Sequence, residues 1–273
     1  MRLGLAAAFA AGWTIVALAG HAAFAADKPT VRLGTTTTLE EVGLLAYLLP
    51  KFTADTGIAV HVLAVDAKRA FELGKGGEAD ALLLDDPASE QFFVSQRHAL
   101  DRREVAIAEM LIAGPRTDPA EIGDSGSPPG AFKAIADTKA PFVSRGDGSG
   151  THELEKRLWN MAGRVPETGA GTWYVSANGR MPATLALAGE KRAYLTIDRA
   201  SWLAQRSHYG LIELVNGGAT MENPISVLIV NDLKHKSARY APAKKLADWL
   251  TGSQGRTLIA RFEIADKTPF VVR

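Results

Sequence analysis

The stretch "APFVSRGDGSGTHELEKRLWNMAG", residues 140–163, decides how this chain is read. Its apolar start reads as a strand. Its middle places one arginine among glycines, serines and an aspartate. Its end turns into a helical pattern, with Gly163 as the stop. A strand that empties into a glycine-rich loop and then a helix is the working unit of an α/β sheet.

The same unit recurs on both sides. "VRLGTTTT" reads as a strand ending in a polar loop, and "LEEVGLLAYLLPKFTADTG" as a helix with a kink or stop near Pro50. "IAVHVLAVD" and "ADALLLDDP" read as strands separated by the short helix "RAFELGKGG". "REVAIAEMLIAGP" and "NPISVLIVND" are strand-like, and "APAKKLADWLTGSQGRTLIARF" closes the chain with two short helices. The pattern predicts two α/β lobes, with residues 26–104 and 231–273 forming the first and 105–230 the second.

Residues 1–25 read as an export signal: Arg2, then a long apolar run, then the small-residue site "AFA" at 23–25, with cleavage expected after Ala25. A membrane anchor is the alternative. That segment holds one basic and no acidic residue, so the remainder carries thirty of each sign. Net charge near zero argues against nucleic acid or a membrane surface as partner. With no cysteine there is no disulfide framework. The expectation is a freely diffusing, exported monomer that binds a ligand between hinged lobes.

The loops say what kind of ligand. A helix starting near Thr151 leaves its first backbone N–H groups unpaired and carries partial positive charge there. Gly150 lets a ligand come close, Ser149 and Thr151 add hydroxyls, and Arg145 adds a fork of charged donors. Thr35, Thr36, Thr37 and Thr38 stand at a second strand-to-helix junction of the same design. Together they describe an oxyanion cradle. Read alone, either loop is equally an ordinary N-capped helix start, with Asp147 capping a turn. About five charge-assisted hydrogen bonds at roughly 1.5–3 kcal/mol each cover a nanomolar affinity of about −12 kcal/mol.

On these two motifs the chain resembles the TupA-type tungstate-binding proteins of ABC importers. That family carries a T-T-T-S loop, here Thr35 to Thr38, and an S-R-G-D-x-S-G-T-H motif, here Ser144 to His152. The likeness extends through "ATLALAGEKRAYLTIDRASWLA" and "NPISVLIVN". It implies a two-lobe type II periplasmic-binding-protein fold with the ligand cleft between lobes. It also implies a bare tetrahedral oxyanion as ligand, tungstate first and molybdate next, held without metal or cofactor. An inner-membrane ABC permease is the implied partner and the periplasm the implied location. Thr38 departs from the family's serine. "DAKRA", residues 66–70, departs further: Asp66 and Lys68 stand where the resemblance implies glycines. Pro182 follows Met181 where another glycine is implied. The site set is therefore Thr36, Thr37, Thr38, Arg145, Ser149, Gly150 and Thr151, with Thr35, Lys68, Arg69 and Met181 as further candidates.

Other readings stay open at this point. The R-x-D-x-S-G-T string also resembles phosphate receptors, in which an aspartate accepts the ligand's proton. The altered 66–70 loop is compatible with a binding protein that contacts a membrane sensor instead. Ser149 and Ser201 lack a nucleophile elbow, the histidines lack metal spacing, and "GKGGEAD" is not a phosphate loop, so no enzyme class is indicated. Trp159, Trp173 and Tyr174 read as packing residues.

Overall fold

The computed structural model describes residues 29–167 and 173–273; the expected signal segment lies outside them. Three parallel strands come first among the described residues: β1 (Thr30–Thr36), β2 (Ala59–Val65) and β3 (Ala81–Leu84). β1 lies between the other two, with Thr36 opposite Val65 and Thr35 opposite Leu83. Because they run the same way, all three end at one edge of the sheet. Three helices start there at once: α1 (Thr37–Glu41), α3 (Ala67–Lys75) and α4 (Pro87–Ser95), with α2 (Leu44–Thr56) between the first two. Thr36, Asp66 and Asp86 are their N-caps, each accepting a backbone N–H of the first turn.

The helix break expected near Pro50 falls elsewhere. Gly43 adopts φ 83° and separates α1 from α2, while Pro50 sits inside α2, which runs on to a Gly57 cap. A left-handed φ favours glycine and ends a helix more firmly than a proline whose missing N–H is the only loss.

The long strand β4 (Ala99–Pro115) joins the halves. Its first part pairs with β9 (Glu222–Val230) and β10 (Phe270–Val271), and β9 pairs in turn with β3. From Met110 onward β4 pairs instead with β7 (Leu195–Asp198) and β8 (Leu211–Asn216). A parallel pair, β5 (Phe142–Ser144) and β6 (Tyr174–Ser176), completes the second half. The sequence division at 104/105 and 230/231 differs from this pairing. The change of partner falls between Glu109 and Met110, and β9 pairs with the first part of β4 along its length and with β3 over 226–229. Its apolar run carries no mark of which sheet receives it.

The second half repeats the logic of the first. β5 runs into α6 (Gly150–Met161), β6 leads to α7 (Met181–Lys191), and β7 runs into α8 (Arg199–Gln205), with α5 (Pro128–Thr138) packed alongside. Phe132, Phe142 and Trp159 form its buried aromatic centre, with ring centroids 4.4–5.5 Å apart. Trp159 thereby anchors α6 from below, as a packing residue. In the first half Phe52 meets Trp249 of α9 (Tyr240–Thr251) edge-on, and α10 (Ser253–Ala260) closes the layer. No helix among the described residues is long and apolar enough to cross a membrane.

Candidate functional site

The strand ends of both halves face one cleft. A cavity of about 400 Å³ lies there, lined by Thr36, Thr37 and Thr38 from one side and by Arg145, Asp147 and Ser149 from the other. Such crevices beyond the carboxyl ends of parallel strands are where α/β folds bind ligands. A neighbouring groove of about 470 Å³ carries Phe71, Phe92 and His98, but none of these converging donors.

Arg145 is the centre of the site. Only 3% of it is exposed. Its Nη2 donates to Thr38 Oγ1 at 3.0 Å, across the cleft, and its Nε donates to the Gly179 carbonyl at 3.0 Å. Asp147 Oδ2 lies 2.9 Å from the same Nε. Arg145 Nη1 is buried with no hydrogen-bond partner among the described residues. A buried guanidinium N–H without an acceptor is costly, and an anion supplies the acceptor.

The loop that holds Arg145 is shaped by its own short-range bonds. Gly146 has φ 68°, and a Cβ there would lie on Ser176 Oγ, so glycine alone fits. Asp147 Oδ1 accepts the Ser149 N–H at 3.0 Å, and His152 Nδ1 accepts the Gly148 N–H at 2.9 Å. The second bond needs a neutral ring, and burial holds the His152 pKa below its usual value. Beneath the loop, Glu155 is buried. It accepts from the Arg145 backbone N–H, the Trp159 indole and the Tyr174 hydroxyl, while burial pushes its carboxyl up to about 7.

Most of the expected residues meet here, and some do not. Thr36 caps α1, Thr37 and Thr38 line the cavity, and Ser149 caps α6. Gly150 and Thr151 are buried at the start of α6 but do not line the cavity. Gly150 is where that helix touches the first half: a Cβ would come within 2.3 Å of the Asp85 carbonyl oxygen. Thr35 is turned inward, its hydroxyl donating to the Leu83 carbonyl at 2.9 Å. Met181 is 1% exposed within the second core. Lys68 lines the neighbouring groove, whereas Arg69 reaches the cavity with its guanidinium on Glu78 at 3.3 Å.

The sequence reading missed one wall. Asn178, Gly179 and Arg180 line the cavity, and Arg180 Nη1 bonds Glu41 Oε1 at 2.8 Å across the cleft. The Asn-Gly pair is a turn signal, and Asn178 takes φ 48° as such a turn requires. It also missed Asp85. Buried behind the site, Asp85 accepts from Asn223 Nδ2 at 3.1 Å. Burial, followed by the nearby charge of Asp198, pushes its carboxyl up to about 6.

Comparison with known proteins agrees with this geometry. A family profile described as "PBP superfamily domain" matches residues 22–254. The tungstate-binding protein TupA of Peptoclostridium acidaminophilum is 37% identical over 237 residues, spanning 86% of this chain and 82% of that protein. The solved tungstate ABC transporter protein of Geobacter sulfurreducens superposes with a TM-score of 0.78 at 34% identity, covering 85% of this chain and 98% of that one. TupA of Desulfovibrio alaskensis G20 superposes with a TM-score of 0.78 at 32% identity, covering 89% and 98%. With its two-lobe α/β architecture and a donor-lined cleft at the strand ends, the chain belongs to the PBP superfamily and, within it, to the TupA family.

Proposed function

We propose that this protein is the extracytoplasmic receptor of an ABC importer, binding a tetrahedral oxyanion, tungstate foremost, in the cleft between its lobes. The observation that carries the reading is Arg145: buried, bonded across the cleft to Thr38, and left with an unpartnered Nη1 beside a cavity walled by threonine hydroxyls. Fixed donors and a partly spent guanidinium can hold a tetrahedral anion without a metal or any bond-making step. The names of the TupA relatives support tungstate as the first anion to test.

The phosphate reading is less well supported. A receptor for hydrogen phosphate uses a carboxylate to accept the ligand's proton. Asp147, the residue nominated for that role, is engaged by Arg145 Nε and the Ser149 N–H as a brace of the loop, and the named relatives bind tungstate. A catalytic role has no support in the site either, since Ser149 Oγ accepts from the His152 backbone N–H and His152 Nδ1 from Gly148. Delivery to a permease, export to the periplasm and action as a monomer belong to the same proposal.

The test is calorimetric titration of protein freed of ligand by unfolding and refolding, with tungstate, molybdate, phosphate and sulfate in turn. Tight, saturable tungstate binding is expected. Arg145→Ala should weaken it by at least about 100-fold, the worth of one or two charge-assisted hydrogen bonds. Arg145→Lys keeps the charge but loses the fork, and should fall between the two. Wild-type affinity in Arg145→Ala, or no binding of any of the four anions, would overturn the proposal.

A further inference from the structure

The charges around the cavity do not cancel. Three arginines line it, and each is already paired: Arg145 with Asp147, Arg69 with Glu78, and Arg180 with Glu41. Asp147 lines it as well, and the fifth charged lining group, Asp66, has no ion-pair partner among the described residues. Lys68, two residues on, faces the neighbouring groove instead. The lining side chains carry three positive and two negative charges; with each arginine neutralised by its ion-pair partner, Asp66 is the charge left over, in a cleft whose hydroxyls and buried Arg145 Nη1 suit an anion.

The place of Asp66 explains how that charge is tolerated. It is the N-cap of α3, and its Oδ1 accepts the Arg69 N–H at 2.8 Å. The parallel sheet puts the start of α3 next to the threonine loop, because Thr36 is opposite Val65. An oxyanion in the cleft thus meets a third helix start that is occupied by the protein's own carboxylate. We propose that Asp66 sets the charge selectivity of the cleft, disfavouring doubly charged oxyanions relative to singly charged ones of the same shape. The inference rests on the oxyanion reading of the site.

Electrostatic repulsion scales with ligand charge and is screened by salt. That makes the proposal separable from a change in shape or stability. Tungstate and perrhenate are tetrahedral oxyanions of similar size with two charges and one. Asp66→Ser and Asp66→Asn keep a side chain able to cap α3, so the fold should melt at the wild-type temperature. Each variant should bind tungstate about tenfold more tightly than wild type and perrhenate only about threefold more tightly, because halving the ligand charge halves the Coulomb energy. Both gains should shrink in high salt. Equal gains for the two anions, no gain, or a loss would overturn the assignment to Asp66 while wild-type tungstate binding leaves the oxyanion reading standing. Binding gained by the variants where wild type has none would uphold Asp66 and revise the ligand of the natural protein. Silence in all three proteins would sink both.

Discussion

At the scale of single residues, the site depends on how closely its neighbours let Arg145 and α6 approach the first half. Gly150 is the contact point. A Cβ there would stand 2.3 Å from the Asp85 carbonyl oxygen and 2.5 Å from Asp85 Oδ2. Gly150→Ala must therefore push the start of α6, with Ser149 and the Arg145 loop, away from the threonine loop. Tungstate affinity should fall at least about tenfold, since relieving so close an approach takes a shift on the order of 1 Å, enough to break hydrogen bonds of 3.0 Å. The circular dichroism spectrum should stay that of wild type. An unchanged affinity would mean the junction can part freely. Sequence reading placed Gly150 in the site as a point of close ligand approach, and the structure shows a further demand on it. It serves the approach of two protein surfaces, a contact no local pattern announces.

At the scale of elements, both halves place helix starts at strand ends, and one buried carboxylate ties the first half together. Asp80 is fully buried just before β3. It accepts from the Arg32 backbone N–H at 2.7 Å and Arg32 Nη2 at 2.5 Å, and from the Arg239 backbone N–H and Nη2 at 2.9 Å each. It thereby joins β1, β3 and the entry to α9. Burial alone would raise its pKa, but the hydrogen bonds from Arg32 and Arg239 win and hold it below the usual aspartate value. Asp80→Ala leaves two part-exposed arginines without their shared acceptor and should cost about 1.5–3 kcal/mol in urea denaturation. The sign with pH follows from the lowered pKa. The stabilisation is present at neutral pH and is lost as pH falls through the folded-state value. The Arg180–Glu41 pair is of the opposite kind, with Arg180 64% exposed. It closes the cleft's rim and adds little stability.

At the scale of the whole molecule, three buried carboxyls, two in the first half and one in the second, are all pushed upward by burial: Asp85 to about 6, Glu90 to about 7 and Glu155 to about 7. Glu90 is raised even though Arg102 Nε lies 2.7 Å from it. A folded-state pKa above the unfolded one means the native state holds its proton longer. Stability should thus decline as pH rises from about 4 to about 7 through these groups, opposite in sign to Asp80. Asp85→Asn removes one such group and can still accept from Asn223. It should stabilise the protein near pH 8 by up to about 3 kcal/mol, with the gain vanishing near pH 4. Denaturation curves at the two pH values decide it. A gain of the same size at both would assign the effect to packing rather than protonation.

Features that act over a few residues can be read directly from the chain. The strand, glycine-rich loop and helix of residues 140–163 are legible because turn glycines, N-caps and apolar spacing are local devices. Thr36, Ser149 and Asp147 could be named for the same reason. The missed helix α4 follows Asp86 and Pro87, a cap and first-turn pair that local reading could have used. Which junctions share a cleft is settled by long-range packing. Arg145 meets Thr38 across 107 residues, Asn178 to Arg180 supply an unsuspected wall, and Thr35 and Met181 turn away. Such packing also decides that β9 joins β3, and that Asp66 alone among the cavity's charged groups is left without a partner ion. These outcomes turn on which sheet a strand joins and on which charges end up side by side. Both are set by packing between segments far apart in the chain, on which local sequence is silent.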